Sequence, residues 1–170
     1  KKTFYISLLV LSAVFSSILA EAQSSGFIEN KGQWNAAVTH KLRVNGGDFW
    51  LERGGWSLSL MNSQQRESAL HAIHDDSGTS SLVDGHIIKV RLLRSNARPI
   101  VRSLHQKPEY HNYFIGNDSA SWKGHVGLFD KVIHERIYPG IDMHVSAIND
   151  QPKITYVVQP NVSPHSIGLV

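Results

Sequence analysis

The chain has 170 residues, with 17 basic against 14 acidic side chains, a formal charge of +3 and no cysteine. A balance this close to neutral gives no electrostatic reason to expect a nucleic-acid partner. Without cysteine there are no disulfides, thiolate zinc ligands or cysteine nucleophiles, so an ordinary apolar core must hold the fold.

The first element is the amino terminus. Lys1 and Lys2 precede an uncharged apolar run, Phe4–Ala20, and Ala20-Glu21-Ala22 follows at once. This is the pattern of a cleavable signal peptide, predicted as residues 1–22 and cut after Ala22. Residues 23–170 then form one domain, exported through the periplasm, with no membrane span after cleavage.

Beyond the leader the hydrophobic period is two. Strand candidates in chain order are Val38–Val44, Phe49–Glu52, Trp56–Leu60, His86–Leu93, Pro99–Leu104, Tyr110–Ile115, Lys131–Ile137, Ile141–Ser146 and Lys153–Val158. Within them Ile88, Val90 and Leu92 share one face, as do Ile141, Met143 and Val145, and Ile154, Tyr156 and Val158. Turn signals separate the candidates: Asn45–Asp48, Gly54-Gly55, Asp84-Gly85, Gly116–Asp118, Pro139-Gly140 and Asn149-Asp150. The expected fold is all-β, an antiparallel β-sandwich-like domain. Met61–Asp84 is a long polar connection. Ser166–Val170 reads as a strand just begun, so the domain is expected to be an amino-terminal piece of a longer modular protein.

Catalysis finds no foothold. No GxSxG elbow or glycine-rich phosphate loop is present, no spacing favours one carboxylate pair, and neither a catalytic residue nor a cofactor is expected. The best metal cluster is His71, His74, Asp75 and Asp76, whose imidazoles and carboxylates suit a divalent ion and would serve a metal-dependent hydrolase. It lies in the long polar connection and lacks a third histidine at a characteristic spacing, so a solvated loop is the simpler reading. His134 and His144 fall on the polar sides of their strands, which predicts exposed imidazoles.

Trp34, Trp50, Trp56 and Trp122 raise the alternative of a carbohydrate-binding module, because exposed indoles stack on sugar rings. The plainer expectation is that they fill the core or brace loops, with Trp50 and Trp56 meeting across the Gly54-Gly55 hairpin. The stretch Asn112–Trp122, NYFIGNDSASW, reads as a corner. Tyr113 and Ile115 should point inward, Gly116–Asp118 should turn, and Trp122 should fold back over the turn. A ligand site at Asn117, Asp118 and Trp122, with Trp34, is the alternative.

Five blocks in order carry a resemblance: FIENKGQW at Phe27–Trp34, NYFIGND with Ser121-Trp122, YPGID at Tyr138–Asp142, ITYVV at Ile154–Val158, and PNVSP at Pro160–Pro164. Together they resemble the amino-terminal domain of large secreted bacterial surface proteins with SBBP β-propeller repeats, proteins linked to gliding motility and type IX secretion. Ser163 stands where that family usually has aspartate, and glycine precedes Leu169. The resemblance implies no reaction. It implies a secreted or cell-surface, non-catalytic module with a structural or adhesive role. Its partners would be downstream domains of the same polypeptide and surface glycans or other envelope components. Asp118-Ser119-Ala120 also resembles a short bacterial O-glycosylation pattern, with Ser119 as acceptor.

Overall fold

The computed structural model describes residues 26–62, 65 and 84–170. The predicted leader and the metal candidates His71, His74, Asp75 and Asp76 lie outside the described residues. The strands are β1 (Phe27–Glu29), β2 (Val38–Val44), β3 (Gly47–Glu52), β4 (Gly55–Met61), β5 (Gly85–Leu93), β6 (Ile100–Tyr113), β7 (Lys123–Tyr138), β8 (Ile141–Ile148), β9 (Gln151–Val158) and β10 (Gly168–Leu169).

All of them pair antiparallel in the order β10-β5-β4-β3-β2-β1-β7-β8-β9, with β6 also on β7. β7 is the hinge of this arrangement. β6 lines one of its edges, while the short β1 and then β8 share the other. The arms to either side bury a common core: Leu42, Phe49 and Leu51 from β2 and β3, Val132 and Ile137 from β7, and Ile141, Met143 and Val145 from β8. Ile154, Tyr156 and Val158 of β9 pack against it. A flat sheet could not bring β3 and β9 to one cluster, so the sheet curls until its arms face each other, the sandwich-like form expected from the alternation. Each fully buried Leu, Ile, Met or Phe contributes about 1.5–3 kcal/mol.

The predicted turns set the register. Asn149 and Asp150, with φ of 49° and 60°, make the two-residue β8–β9 turn in the geometry that matches strand twist. Pro139 and Gly140 join β7 to β8. Gly140 has φ +71°, and a Cβ there would sit 2.6 Å from Val162 Cγ2, so both backbone and space demand glycine.

Four expectations change. The candidates Pro99–Leu104 and Tyr110–Ile115 merge into one strand, β6, which runs only over Ile100–Tyr113, leaves Phe114 and Ile115 beyond its end, and shifts register between Gln106 and Tyr110. On β5 only Leu92 is buried. Val90 is half-buried and Ile88 is 50% exposed, because β5 lies near the sheet edge and reaches the core only at its carboxyl end. Trp50 and Trp56 do not meet across their hairpin: Trp50 is opposite Ser57 and Trp56 opposite Leu51, which puts the two rings on opposite faces.

The fourth is His134, which is fully buried rather than exposed. The pairing of β7 with β8 shifts between His134 and Tyr138, where Arg136 has φ +51°. That bulge changes which side chains point inward. Val132 and His134 face the core before it, and Ile137 and Tyr138 after it. His144 is half-buried, and desolvation, with the charge of Lys131, lowers its pKa.

Candidate ligand-binding face

The β6–β7 connection is built from the residues that suggested it. Asp118 caps a short 3-10 turn, Ser119–Ser121. Its Oδ1 accepts from Ala120 N at 3.0 Å and its Oδ2 from Ser121 Oγ at 3.1 Å. Trp122 folds back as expected, donating Nε1–H to Gly116 O at 3.1 Å and packing on Phe114 with ring centres 5.4 Å apart. Asp118, Ser121 and the Trp122 indole thus direct their hydrogen bonds into the corner itself. Asn117 and Ser119 are exposed, and their side chains make no hydrogen bond among the described residues. Tyr113 is half-buried, but Ile115 does not turn inward with it. Phe114, Ile115 and Trp122 are 62%, 71% and 41% exposed.

Trp34 sits in a loop organised by Asn30. The Asn30 amide donates to the carbonyls of Trp34, Asn35 and Val38 at 3.3, 3.0 and 2.8 Å, and its Oδ1 accepts from Gly32 N and Trp34 N. Lys31 ties this loop to β7 through His125 O at 2.7 Å, and Glu29 Oε1 accepts from Gly127 N at 2.8 Å. So held, the Trp34 ring meets Trp50 edge-on at 5.4 Å and Tyr113 at 5.5 Å, above a small cluster of Ile28, Val126 and Leu128. Lys41 Nζ lies 5.3 and 5.2 Å from the two indole centres and 3.5 Å from Asp48 Oδ1. Trp50 Nε1 donates to Ser59 Oγ at 3.1 Å. Burial, with the charge of Asp48, raises the Tyr113 pKa. Desolvation, helped by Lys41 and Arg43, lowers that of His111 beside it.

Trp34 and Trp50 therefore share one outer face with a cation and a phenol, a combination that can stack on a ring and hydrogen-bond its edge. Trp56 lies on the other side, against Phe49 and the core. Trp122 belongs to the corner and makes no ring contact with Trp34. Sequence reasoning missed Asn30, Lys41 and Tyr113 as parts of this face. Asn30 left a signal, since Asn two residues before Gly is a side-chain-capped turn pattern.

Inside the sheet, His40 and His134 are the other chemically capable groups. His40 Nε2 is 2.8 Å from Ser103 Oγ, and His134 Nε2 is 3.5 Å from Thr39 Oγ1. Each ring leaves its Nδ1 buried and without a partner. Desolvation, then repulsion from His134, lowers His40 to about 3, while desolvation and Arg53 lower His134 to about 4. Both imidazoles are neutral at ordinary pH. Among the described residues no three His, Asp or Glu side chains converge as metal ligands, and no helix is long and apolar enough to cross a membrane.

A curled antiparallel sheet with an aromatic outer face and an apolar corner defines an all-β domain. The chain belongs to the family described as a domain of unknown function, DUF7948, which matches residues 27–170. No curated protein and no solved structure matches it.

Proposed function

We propose that this chain is a non-catalytic module of a larger exported protein, secreted or held at the cell surface, where it has a structural and adhesive role. The larger protein would be of the SBBP-repeat, gliding-motility and type IX secretion kind that the five sequence blocks resemble. The observation that carries the adhesive part is the β6–β7 corner. Asp118, Ser121 and the Trp122 indole make their hydrogen bonds within the corner, while Phe114, Ile115 and Trp122 present apolar surface to solvent. Such a surface gains by burying apolar area against a partner, not by reading hydrogen bonds. The test is adhesion of the full chain to outer-membrane vesicles and immobilised polysaccharides, beside a Phe114→Ser/Ile115→Ser/Trp122→Ser variant. Adhesion lost in a variant of unchanged melting temperature supports the proposal. Adhesion equal in both, or absent from both, overturns it.

Carbohydrate binding is the second reading, favoured by Trp34 and Trp50 on one face with Lys41 over both rings. A glycan array with Trp34→Phe and Trp50→Phe variants separates the two. Saturable glycan binding weakened by these changes, and indifferent to the corner variant, selects the sugar site.

A further inference from the structure

The far end of β7 offers a different feature. Among the described residues seven other than glycine have a positive φ: Arg94, His105, His125, Arg136, Asn149, Asp150 and Asn161. Five are Asn, Asp or His, the types that tolerate this conformation best. The two that are not, Arg94 at φ 55° and Arg136 at φ 51°, line one open cavity of about 460 Å³ with Ser95, Asn96 and Pro139. Strained backbone of this kind costs on the order of 1–3 kcal/mol and persists where the surroundings hold it.

What holds it is visible. Asn96 ties the β5–β6 connection to β7, its N donating to Ile137 O at 2.8 Å and its Nδ2 to Arg136 O at 3.2 Å. Arg136 N donates to Asp142 Oδ1 at 2.6 Å, so the backbone and not the guanidinium engages that carboxylate. Neither the Arg94 nor the Arg136 guanidinium has an ion-pair partner among the described residues. Ser95 donates its hydroxyl to Leu92 O at 3.0 Å, so its proton is already used and the two arginines are the charged donors of the cavity.

We infer that this cavity is an anion-binding site, in which Arg94 and Arg136 together take the oxyanion of a small acidic ligand, a carboxylate or a phosphate. The guanidinium fork matches either planar or tetrahedral oxygens and gains most when two act on one group. Pro139 supplies an apolar wall for the body that carries the charge, and Asn96 fixes the spacing of the two backbones. The site lies at the opposite end of β7 from the aromatic corner and does not depend on the adhesive reading.

The test is an NMR titration of the full chain at constant ionic strength with inorganic phosphate, D-galacturonate and uncharged D-galactose. Saturable shifts at Arg94–Asn96 and Arg136 with an anion, and none with galactose, are expected. Phosphate alone assigns a phosphoryl group, galacturonate alone an acidic sugar, and both together oxyanions in general. Arg94→Asn/Arg136→Asn removes the charges with a residue that accepts positive φ, and Arg94→Gly/Arg136→Gly does so without a side chain. Either should weaken binding by about tenfold or more, with melting temperature unchanged or raised. Anion shifts that never saturate, or undiminished affinity in the two double variants, would overturn the site.

Discussion

The inside of the curled sheet and the β6–β7 corner break the usual pattern of burial in opposite ways. Inside, two imidazoles are buried with one ring nitrogen each left unpaired. At the corner the capping carboxylate and the indole are bonded, and large apolar side chains face water. A buried orphan nitrogen costs about 1–3 kcal/mol and pays back nothing at the surface, so it must bear on the stability of the folded state. The exposed Phe-Ile-Trp group adds inside only the Trp122 bond to Gly116 O and its packing on Phe114, and on the proposed reading its larger effect comes when a partner covers it. The interior departure is thus a matter of stability, and on the proposed reading the corner departure is one of contact.

Acid should break the comparison most strongly. Well above pH 6.5 both histidines are neutral folded and unfolded, and their contribution to stability does not change with pH. Below it the unfolded chain takes up protons that His40 and His134 refuse until about pH 3 and 4. Stability therefore falls with pH across that window, by about 1.4 kcal/mol per pH unit for each histidine. Urea unfolding between pH 7 and pH 4.5 measures the slope. His134→Leu should flatten it, whereas Trp122→Ser should leave it as it was. An equal slope in the His134 variant would show that carboxylates alone set the acid response.

The two connections of β7 give the next contrast. Gly140→Ala places a side chain at φ +71° against Val162 and should cost about 1–3 kcal/mol in thermal unfolding. Asp118→Ala removes one cap from an exposed turn and should cost about 1 kcal/mol. The tight turn is required by the fold, and the longer one is only steadied by its aspartate. A larger loss for Asp118→Ala than for Gly140→Ala would reverse that ranking.

Much of this architecture was legible in the sequence. The alternation in Ile141–Ser146 marked Ile141, Met143 and Val145 as inward, and all three are buried. Asn149-Asp150 and Pro139-Gly140 marked turns by residue chemistry that needs no tertiary information. What stayed hidden depends on neighbours. β1 has only three residues and exists because β2 and β7 lie on either side of it. The amino-terminal half of β7, Lys123–Asp130, contains two glycines and is a strand because β6 pairs along it. His134 was misplaced because period-two reasoning assumes an unbroken register, and the bulge at Arg136 breaks it. The same bulge sets up the arginine cavity, so no local pattern could have announced that site. Around the aromatic face, Trp34 and Trp122 were visible as residues. Lys41 and Tyr113 were not, since the first comes from β2 and the second from β6, and only the sheet order brings both to Trp34.

The smallest expected effect is the most telling for the corner. Ile115→Ser alters a side chain that is 71% exposed, and stability should change by less than about 0.5 kcal/mol. If Ile115 were held outward merely because the turn forces it there, serine would be equally acceptable in every assay. If the corner is a contact, the same neutral change should weaken vesicle adhesion while Asp118→Ala, which is worse for stability, leaves an equally apolar tip in place. Stability and adhesion would then rank the two variants in opposite order. A common ranking in both assays would mean that adhesion follows folding and that the exposed apolar group has no part in it.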